Sequence, residues 1–424
     1  MSGRSIAVIG GGPIGIEAAL EAKRRGFDVA VYEADRVGGH LRRFGHVALF
    51  TPFRMNSTEA GREALRRAGA AIPGDDDLLT ASELADRYLV PLARLPELGD
   101  SVHEGARVTH VGREGIPKHR GVAAAGDRSR ADAPFLIRVE SDGTTRFQRA
   151  DIVLDASGVY GNPNSTGPGG LPALGEEALG DRIDRSIPAF RSDARRRYVG
   201  RTILLIGDGH SAATALAEIG ALAREAPSSA SVAVHWAHRG RGGESIFVEI
   251  EDDPLPARRE LAARANTMAR SARWITRHPG AAVVSYAGTA AGGVRALLRY
   301  PSGEEREIEV DRVLALVGYR PDTAIYRELQ VHLCYASEGP MDLAAAVLSA
   351  SLKSPGTAGD CLSQVSHGPE SLKTPEPAFF ILGAKSYGRN PSFLLTIGHR
   401  QIADALSLLG VAPPVGSAAA ATAR

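Results

Sequence analysis

Ile6-Ala7-Val8-Ile9-Gly10-Gly11-Gly12-Pro13-Ile14-Gly15 decides the fold of this chain. The apolar run reads as a strand, and Gly10, Gly12 and Gly15 fall in the GxGxxG spacing just before a helical pattern over residues 14–25. Gly26 stops that helix, Asp28–Tyr32 reads as a second strand, and Glu33 stands at its end, followed by Ala34. In such a unit the first glycine permits a tight turn and the second lets a pyrophosphate approach the backbone. The third lets helix and strand pack closely. Free N–H groups and the dipole at the helix start, beside Pro13 and Ile14, favour the anion. A carboxylate at Glu33 accepts from ribose hydroxyls and repels a 2′-phosphate, which predicts FAD or NAD rather than NADP. A glycine turn with a surface glutamate is the plain alternative.

The pattern returns at Ile203-Leu204-Leu205-Ile206-Gly207-Asp208-Gly209-His210-Ser211-Ala212, with Gly207, Gly209 and Ala212 in the glycine positions and His210 and Ser211 opening the helix. The strand that follows runs into Trp236-Ala237-His238-Arg239-Gly240-Arg241, and no acid stands where Glu33 stood. His238, Arg239 and Arg241 stand there instead. A guanidinium pairs with a phosphate and stacks on an adenine, so this loop is expected to take NADPH, with a solvated basic turn as the alternative. Two dinucleotides on one chain describe an electron path from NADPH to FAD.

The fold class expected is α/β with two Rossmann-like dinucleotide-binding domains, the FAD domain interrupted by an inserted NADP domain. The boundaries read as 1–195 and 326–412 for the FAD domain, 196–325 for the NADP domain, and 413–424 for an Ala/Pro/Gly-rich disordered tail. Between the loops, residues 80–93 read as an amphipathic helix capped by Thr80, and 107–113 and 135–140 as strands. The polar stretch 114–134 reads as a loose hairpin tip, and 151–154 as a further strand. A helix over 211–223, strands over 202–206, 231–236, 313–317 and 379–383, and a last helix over 393–409 complete the pattern.

The chain carries 50 basic and 49 acidic side chains, a formal net charge of +1. That balance excludes long-range attraction to nucleic acid or an anionic membrane. No apolar run is long enough to span a bilayer, and the first strand begins too early for a signal peptide, so a cytoplasmic location is expected. Cys334 and Cys361 form no CxxC pair, and no HExxH or paired-CxxC spacing points to a metal.

Ala156-Ser157-Gly158, Gly318-Tyr319-Arg320-Pro321-Asp322 and Gly383-Ala384-Lys385-Ser386-Tyr387-Gly388-Arg389 resemble motifs of FAD/NADP-dependent flavoproteins related to class B flavin monooxygenases. Within that group the chain looks similar to flavin monooxygenases encoded with arsenic-resistance genes. Asp252-Asp253-Pro254-Leu255-Pro256 with Asn266, and Leu79-Thr80 with Tyr88–Leu92, add to the likeness. The resemblance spans about residues 5–410. It implies that Gly39, His40, Leu41, Arg54 and Asn56 approach the flavin, and that Val108, Ala156, Ser157 and Gly158 line the FAD site. Gly318, Tyr319, Gly383, Lys385 and Ser386 complete the cofactor set. Asn56, Lys385 and Arg400 are the catalytic candidates, with Arg54 and Arg389 as further cations for a flavin peroxide.

Two departures stand out. The FxGxxxH-like signature of class B monooxygenases is not evident in residues 187–200, and the Asp that usually follows the returning glycine is replaced by Ala384 and Lys385. The leading expectation is a monooxygenase that activates molecular oxygen to oxygenate a small substrate at S, N, Se or As, or at a carbonyl. The alternatives are an NAD(P)H-dependent flavoprotein reductase without oxygen insertion, with Cys361 as a lone thiol, and a non-catalytic redox sensor. A homodimer is left open.

Overall fold

The computed structural model describes residues 3–122, 126–192, 194–225, 232–240, 246–353, 362 and 366–410. The chain divides into two compact units. One comprises Met1–Gly45, Thr51–Asn162 and Arg320–Arg424; the other comprises His46–Phe50 and Pro163–Tyr319. Among the described residues no helix is long and apolar enough to cross a membrane.

The first unit is built on a five-stranded parallel sheet in the order Phe379–Ile381, Ile152–Asp155, Ser5–Ile9, Asp28–Tyr32, Val102–His103. Its inner strands are near-continuous apolar runs, as a sheet covered on both faces requires. Helix Pro13–Arg24 crosses between the first two strands, with Pro13 fixing the backbone at its first turn. Helix Leu395–Leu408 packs closely on it: a Cβ on Gly398 would meet Ile14 Cδ1 at 2.4 Å. An antiparallel meander (Arg107–Arg113, Phe135–Ser141, Thr144–Ala150) adds a second layer. Its second hairpin turns at Asp142 and Gly143, both with φ near the left-handed region (51° and 70°).

Two elements differ from the sequence reading. Residues 81–93 follow one helical path behind a Thr80–Glu83 capping box, but Ala85–Leu89 is a π-turn. Pro91 has no N–H to give the preceding turn, and the wider ladder absorbs that loss. The stretch 114–134, read as a loose tip, is anchored in its described part, and residues 123–125 lie outside the described ones. Arg130 within it is fully buried and shares the carboxylate of Glu376 with Arg113, at 2.8 and 2.7 Å. The Gln330 N–H donates to the same carboxylate at 2.8 Å.

The second unit repeats the plan with its own parallel sheet, in the order Ile275–Pro279, Ala233–His238, Thr202–Ile206, Arg312–Ala315, Ile183–Asp184. The crossover helix is His210–Glu225. Because Ile183–Asp184 pairs with Val313–Leu314, this unit opens at Pro163, where the sequence reading places the boundary at 195/196. It closes at Tyr319, where that reading has 325/326. A second antiparallel meander (Ala282–Gly288, Val294–Arg299, Glu305–Val310) was not anticipated. Nor was helix Pro256–Ser271. Two residues quoted for the family resemblance brace this region. The Asn266 carbonyl accepts from Ile246 and Phe247 N–H, both at 3.0 Å, and Asp253 pairs with Arg258 at 2.7 Å.

Two predictions follow from the buried polar groups. Glu376→Ala strands two buried guanidinium groups, so urea unfolding should show a loss of about 3–5 kcal/mol, far more than a surface Glu→Ala change. His278 is 1% exposed, within hydrogen-bonding distance of His235 and Tyr300, and burial pushes it down to about 4. Its unfolded form takes up a proton at the ordinary value of 6.5 while the folded form does not. Stability is therefore full above pH 6.5 and falls as the pH drops towards about 4, by roughly 3 kcal/mol in all. Melting curves across that range should flatten in His278→Asn.

Candidate nucleotide-binding sites

At the first loop each glycine has a separate steric reason. Gly10 sits at φ +105°, and a Cβ there would lie 2.7 Å from Ala156 O. A Cβ on Gly15 would lie 1.9 Å from Gly10 O. Around Gly12, by contrast, a Cβ would meet nothing within 4 Å, so the backbone at the helix start faces open space. Gly12 N-caps the helix with no side-chain hydrogen bond, which leaves the first-turn N–H groups available to an anion. Ile14 is buried against the Gly383 turn. Glu33 closes the far end of the loop, accepting from Gly11 N–H at 2.6 Å and Asp35 N–H at 2.9 Å. Burial raises its carboxyl above the ordinary range, against the lowering by those two N–H donors.

The neighbouring strand ends in a closed polar cluster. Asp155 and Lys385, both fully buried, pair at 2.7 Å. Ser157 Oγ donates to Asp155 at 2.7 Å and accepts from Lys385 at 2.9 Å. The Lys385 ammonium also lies 5.1 Å from the centre of the Tyr326 ring. The turn carrying Lys385 is held by Gln401, which accepts from Gly383 N–H and donates to Ser386 Oγ, both at 2.9 Å. Gly383 takes φ +71°. Asp155 and Gln401 are the residues that the sequence reading missed. Asp155 carries a visible signal, because it stands directly before Ala156-Ser157-Gly158 and a buried lysine needs a counter-charge. Gln401 carries none short of the fold.

The other predicted residues of this unit divide. Ala34 and Leu41 are half-buried, and Gly39 is buried behind Gly38, whose φ is +69°. His40 stands edge-on to Tyr160 at 6.4 Å, with burial lowering its pKa, and Gly158 takes φ +69° beside it in sequence to Tyr160. Val108 belongs to the buried face of the meander. Three catalytic or cation candidates stand apart from the buried cluster. The Asn56 amide is taken up by Thr51, through its hydroxyl at 2.8 Å and its carbonyl at 2.9 Å, which makes it a brace of the 51–56 turn. Arg54 is half exposed and pairs with the surface residue Asp76. Arg400 lies on the exposed side of its helix.

The second loop repeats the steric logic. Gly207 (φ +128°) would place a Cβ 2.2 Å from Leu316 O, whereas a Cβ on Gly209 would meet nothing. Ala212 is buried, and His210 and Ser211 are exposed at the helix start. The basic cluster is smaller than the sequence suggests. His238 is 2% exposed, and its pKa is lowered by burial and by the Arg277 cation, so it is a neutral ring at pH 7. Arg239 is 92% exposed and pairs with Asp208 at 3.1 Å. An exposed pair of this kind is worth about 0–1 kcal/mol, so Asp208 does not hold Arg239 against a phosphate. Arg241 lies outside the described residues, as does Cys361. Gly318 and Tyr319 fall in this unit, with the Tyr319 hydroxyl donating to Arg185 O at 2.6 Å.

The family model of the NAD(P)-binding Rossmann-like domain matches residues 8–54, which is the first glycine loop, its acid and the turn after it. No curated protein matches the chain. Among solved structures, the chain is similar to the bacillithiol disulfide reductase Bdr of Bacillus cereus, at 18% identity and a TM-score of 0.65, with 96% of this chain and 98% of that one covered. It is also similar to the cadaverine monooxygenase DfoA of Erwinia amylovora, at 11% identity, TM-score 0.61 and coverage of 97% and 96%. The ornithine N-hydroxylase of Kutzneria sp. 744 aligns at 15% identity, TM-score 0.59 and coverage of 96% and 99%. At these identities the likeness is one of fold: two parallel-sheet Rossmann units.

The steric contrast within each loop yields a paired test. Compared as nucleotide-free proteins, Gly12→Ala meets no atom and should melt within about 0.5 kcal/mol of the parent, while failing to retain nucleotide. Gly15→Ala drives a Cβ into the loop backbone and should lose both nucleotide and stability, as read by thermal melting alongside nucleotide released on denaturation.

Proposed function

We propose that the chain is an NADPH-dependent FAD oxidoreductase, holding FAD at the loop Gly10–Gly15 and NADPH at the loop Gly207–Ala212. One observation carries this reading. Both loops keep open space at the middle glycine, yet the first ends in an acid and the second in a base. Glu33 suits the ribose hydroxyls of FAD and opposes a 2′-phosphate, and Arg239 suits the 2′-phosphate of NADPH. When bound, the flavin supplies hydride acceptance from NADPH and electron delivery to oxygen or another acceptor.

The chain's own residues bind and orient. The first helix start holds the pyrophosphate, Gln401 fixes the returning turn through Gly383 N–H and Ser386 Oγ, and Asp155 keeps the buried Lys385 ammonium fixed. Lys385 is the only cation among the predicted candidates that is buried in the first unit, and its charge is balanced by Asp155 within the same cluster.

For the reaction we propose oxygenation of a small soft nucleophile at sulfur, nitrogen, selenium or arsenic, or of a carbonyl. The arsenic reading rests on the resemblance to flavin monooxygenases of arsenic-resistance operons. The fold likeness to DfoA and the ornithine N-hydroxylase supports an oxygenase. The likeness to the bacillithiol disulfide reductase favours a second reading, NADPH-driven reduction without oxygen insertion. Oxygen uptake coupled one-to-one to product, with little free peroxide, is the oxygenase outcome in a screen of sulfide, amine, selenide and arsenical compounds. NADPH oxidation with stoichiometric peroxide, or reduction of a disulfide acceptor, is the reductase outcome. Arg239→Ala should raise KM for NADPH about ten- to hundredfold, from the loss of one charge-assisted bond of about 1.5–3 kcal/mol, and leave KM for NADH nearly unchanged.

A further inference from the structure

The first unit contains a cavity of about 400 Å³ that neither glycine loop lines. Its volume falls within the roughly 300–1,000 Å³ of small-molecule sites. The accessible wall is mostly polar, and its apolar part is a small base formed by the half-buried Leu333 over the buried Tyr326 and Leu329. The rim is cationic, with Lys118, Arg320 and Arg327 facing the same space.

The charges around this cavity do not cancel. Of its two carboxylates, Glu338 is committed to Arg389 at 2.8 Å, a residue outside the lining. Asp322 accepts from Ala324 N–H at 2.9 Å and caps its own turn. Lys118 Nζ donates to the neutral carbonyl of Arg327 at 2.8 Å, which fixes the ammonium without neutralising it. Among the described residues neither the Arg320 nor the Arg327 guanidinium has an ion-pair partner. Two guanidinium groups with no ion-pair partner and a tethered ammonium over a small apolar base match an anionic ligand.

We propose that this cavity binds a small organic anion, a carboxylate or phosphate carried on an apolar body, at a site separate from both dinucleotides. The anionic head sits between Arg320 and Arg327 with Lys118 beside it, and a short apolar body reaches Leu333 and the edge of Tyr326. Carboxylate and phosphate share this chemistry, and the planar guanidinium fork accepts either.

Isothermal titration of the purified full-length protein with phenyl phosphate, benzoate and inorganic phosphate tests the assignment. Phenyl phosphate or benzoate should bind, and the preferred one identifies the head group. Arg327→Ala and Arg320→Ala should each weaken that binding about tenfold or more, and added salt should weaken it further. Arg327 is exposed, so its variant should keep the parent melting temperature and the comparison holds for a folded protein. Three results would overturn the proposal: no binding of either aromatic anion, binding unchanged in both variants, or inorganic phosphate binding as tightly as phenyl phosphate. Displacement of the probe by NADP⁺ or FAD would also overturn it, by assigning the cavity to a dinucleotide, while leaving the oxidoreductase reading intact.

Discussion

Asp155 and Lys385 meet 2.7 Å apart with neither side chain exposed, and Ser157 closes the cluster between them. Removing either charge leaves the other stranded in a low-dielectric interior, a loss of about 3–5 kcal/mol in comparable pairs. The two sides of the contact are 228 residues apart by the Ser157–Lys385 bond. That bond fastens the returning segment to the strand end beside the first glycine loop. Gln401 secures the same turn from the other side, and Ile14 packs beneath Gly383. Two of the elements around the proposed FAD site, the first helix and the returning turn, are therefore held to each other by buried contacts.

The two loops share one backbone plan. In each, the first glycine is required by a carbonyl packed against it, and the middle glycine by nothing in the protein itself. At the first loop that freedom lies beside helix N–H groups with no side-chain cap, which leaves room for an anion. The ends of the next strands differ in sign, Glu33 in the first unit and Arg239 in the second, and the proposed cofactor selectivity rests on that difference. The resemblance to flavoproteins and the similarity to solved two-unit folds lead to the same architecture by separate routes.

Much of this was legible because it is local. Glycine spacing, apolar runs and the residues at strand ends are read within about thirty positions, and they located both Rossmann units and the main strands. The boundaries at Pro163 and Tyr319 were not legible, because the two-residue strand Ile183–Asp184 is defined only by its pairing with Val313–Leu314. Arg130 looked like part of a solvated tip because its partner, Glu376, is far along the chain. His238 looked basic beside two arginines, but burial keeps it neutral. Asn56 looked like a free amide, yet Thr51, five positions earlier, occupies it. In each case the missing information was a long-range contact or a degree of burial, neither of which a residue type records.

The strand Phe379–Ile381 has a consequence for how the polypeptide emerges from the ribosome. Translation reaches Tyr319 and completes the second unit while Ile152–Asp155 still lacks the neighbour that will lie on its outer side. Arg320 N–H donates to Asn162 O at 3.0 Å, so the excursion leaves and rejoins at nearly one point and its departure strains nothing behind it. The inserted unit is thus free to mature first, and the nascent chain carries an open apolar strand edge until about its last ninth is made. Such an edge is where chaperone engagement or wrong pairing begins in a slowly translated message.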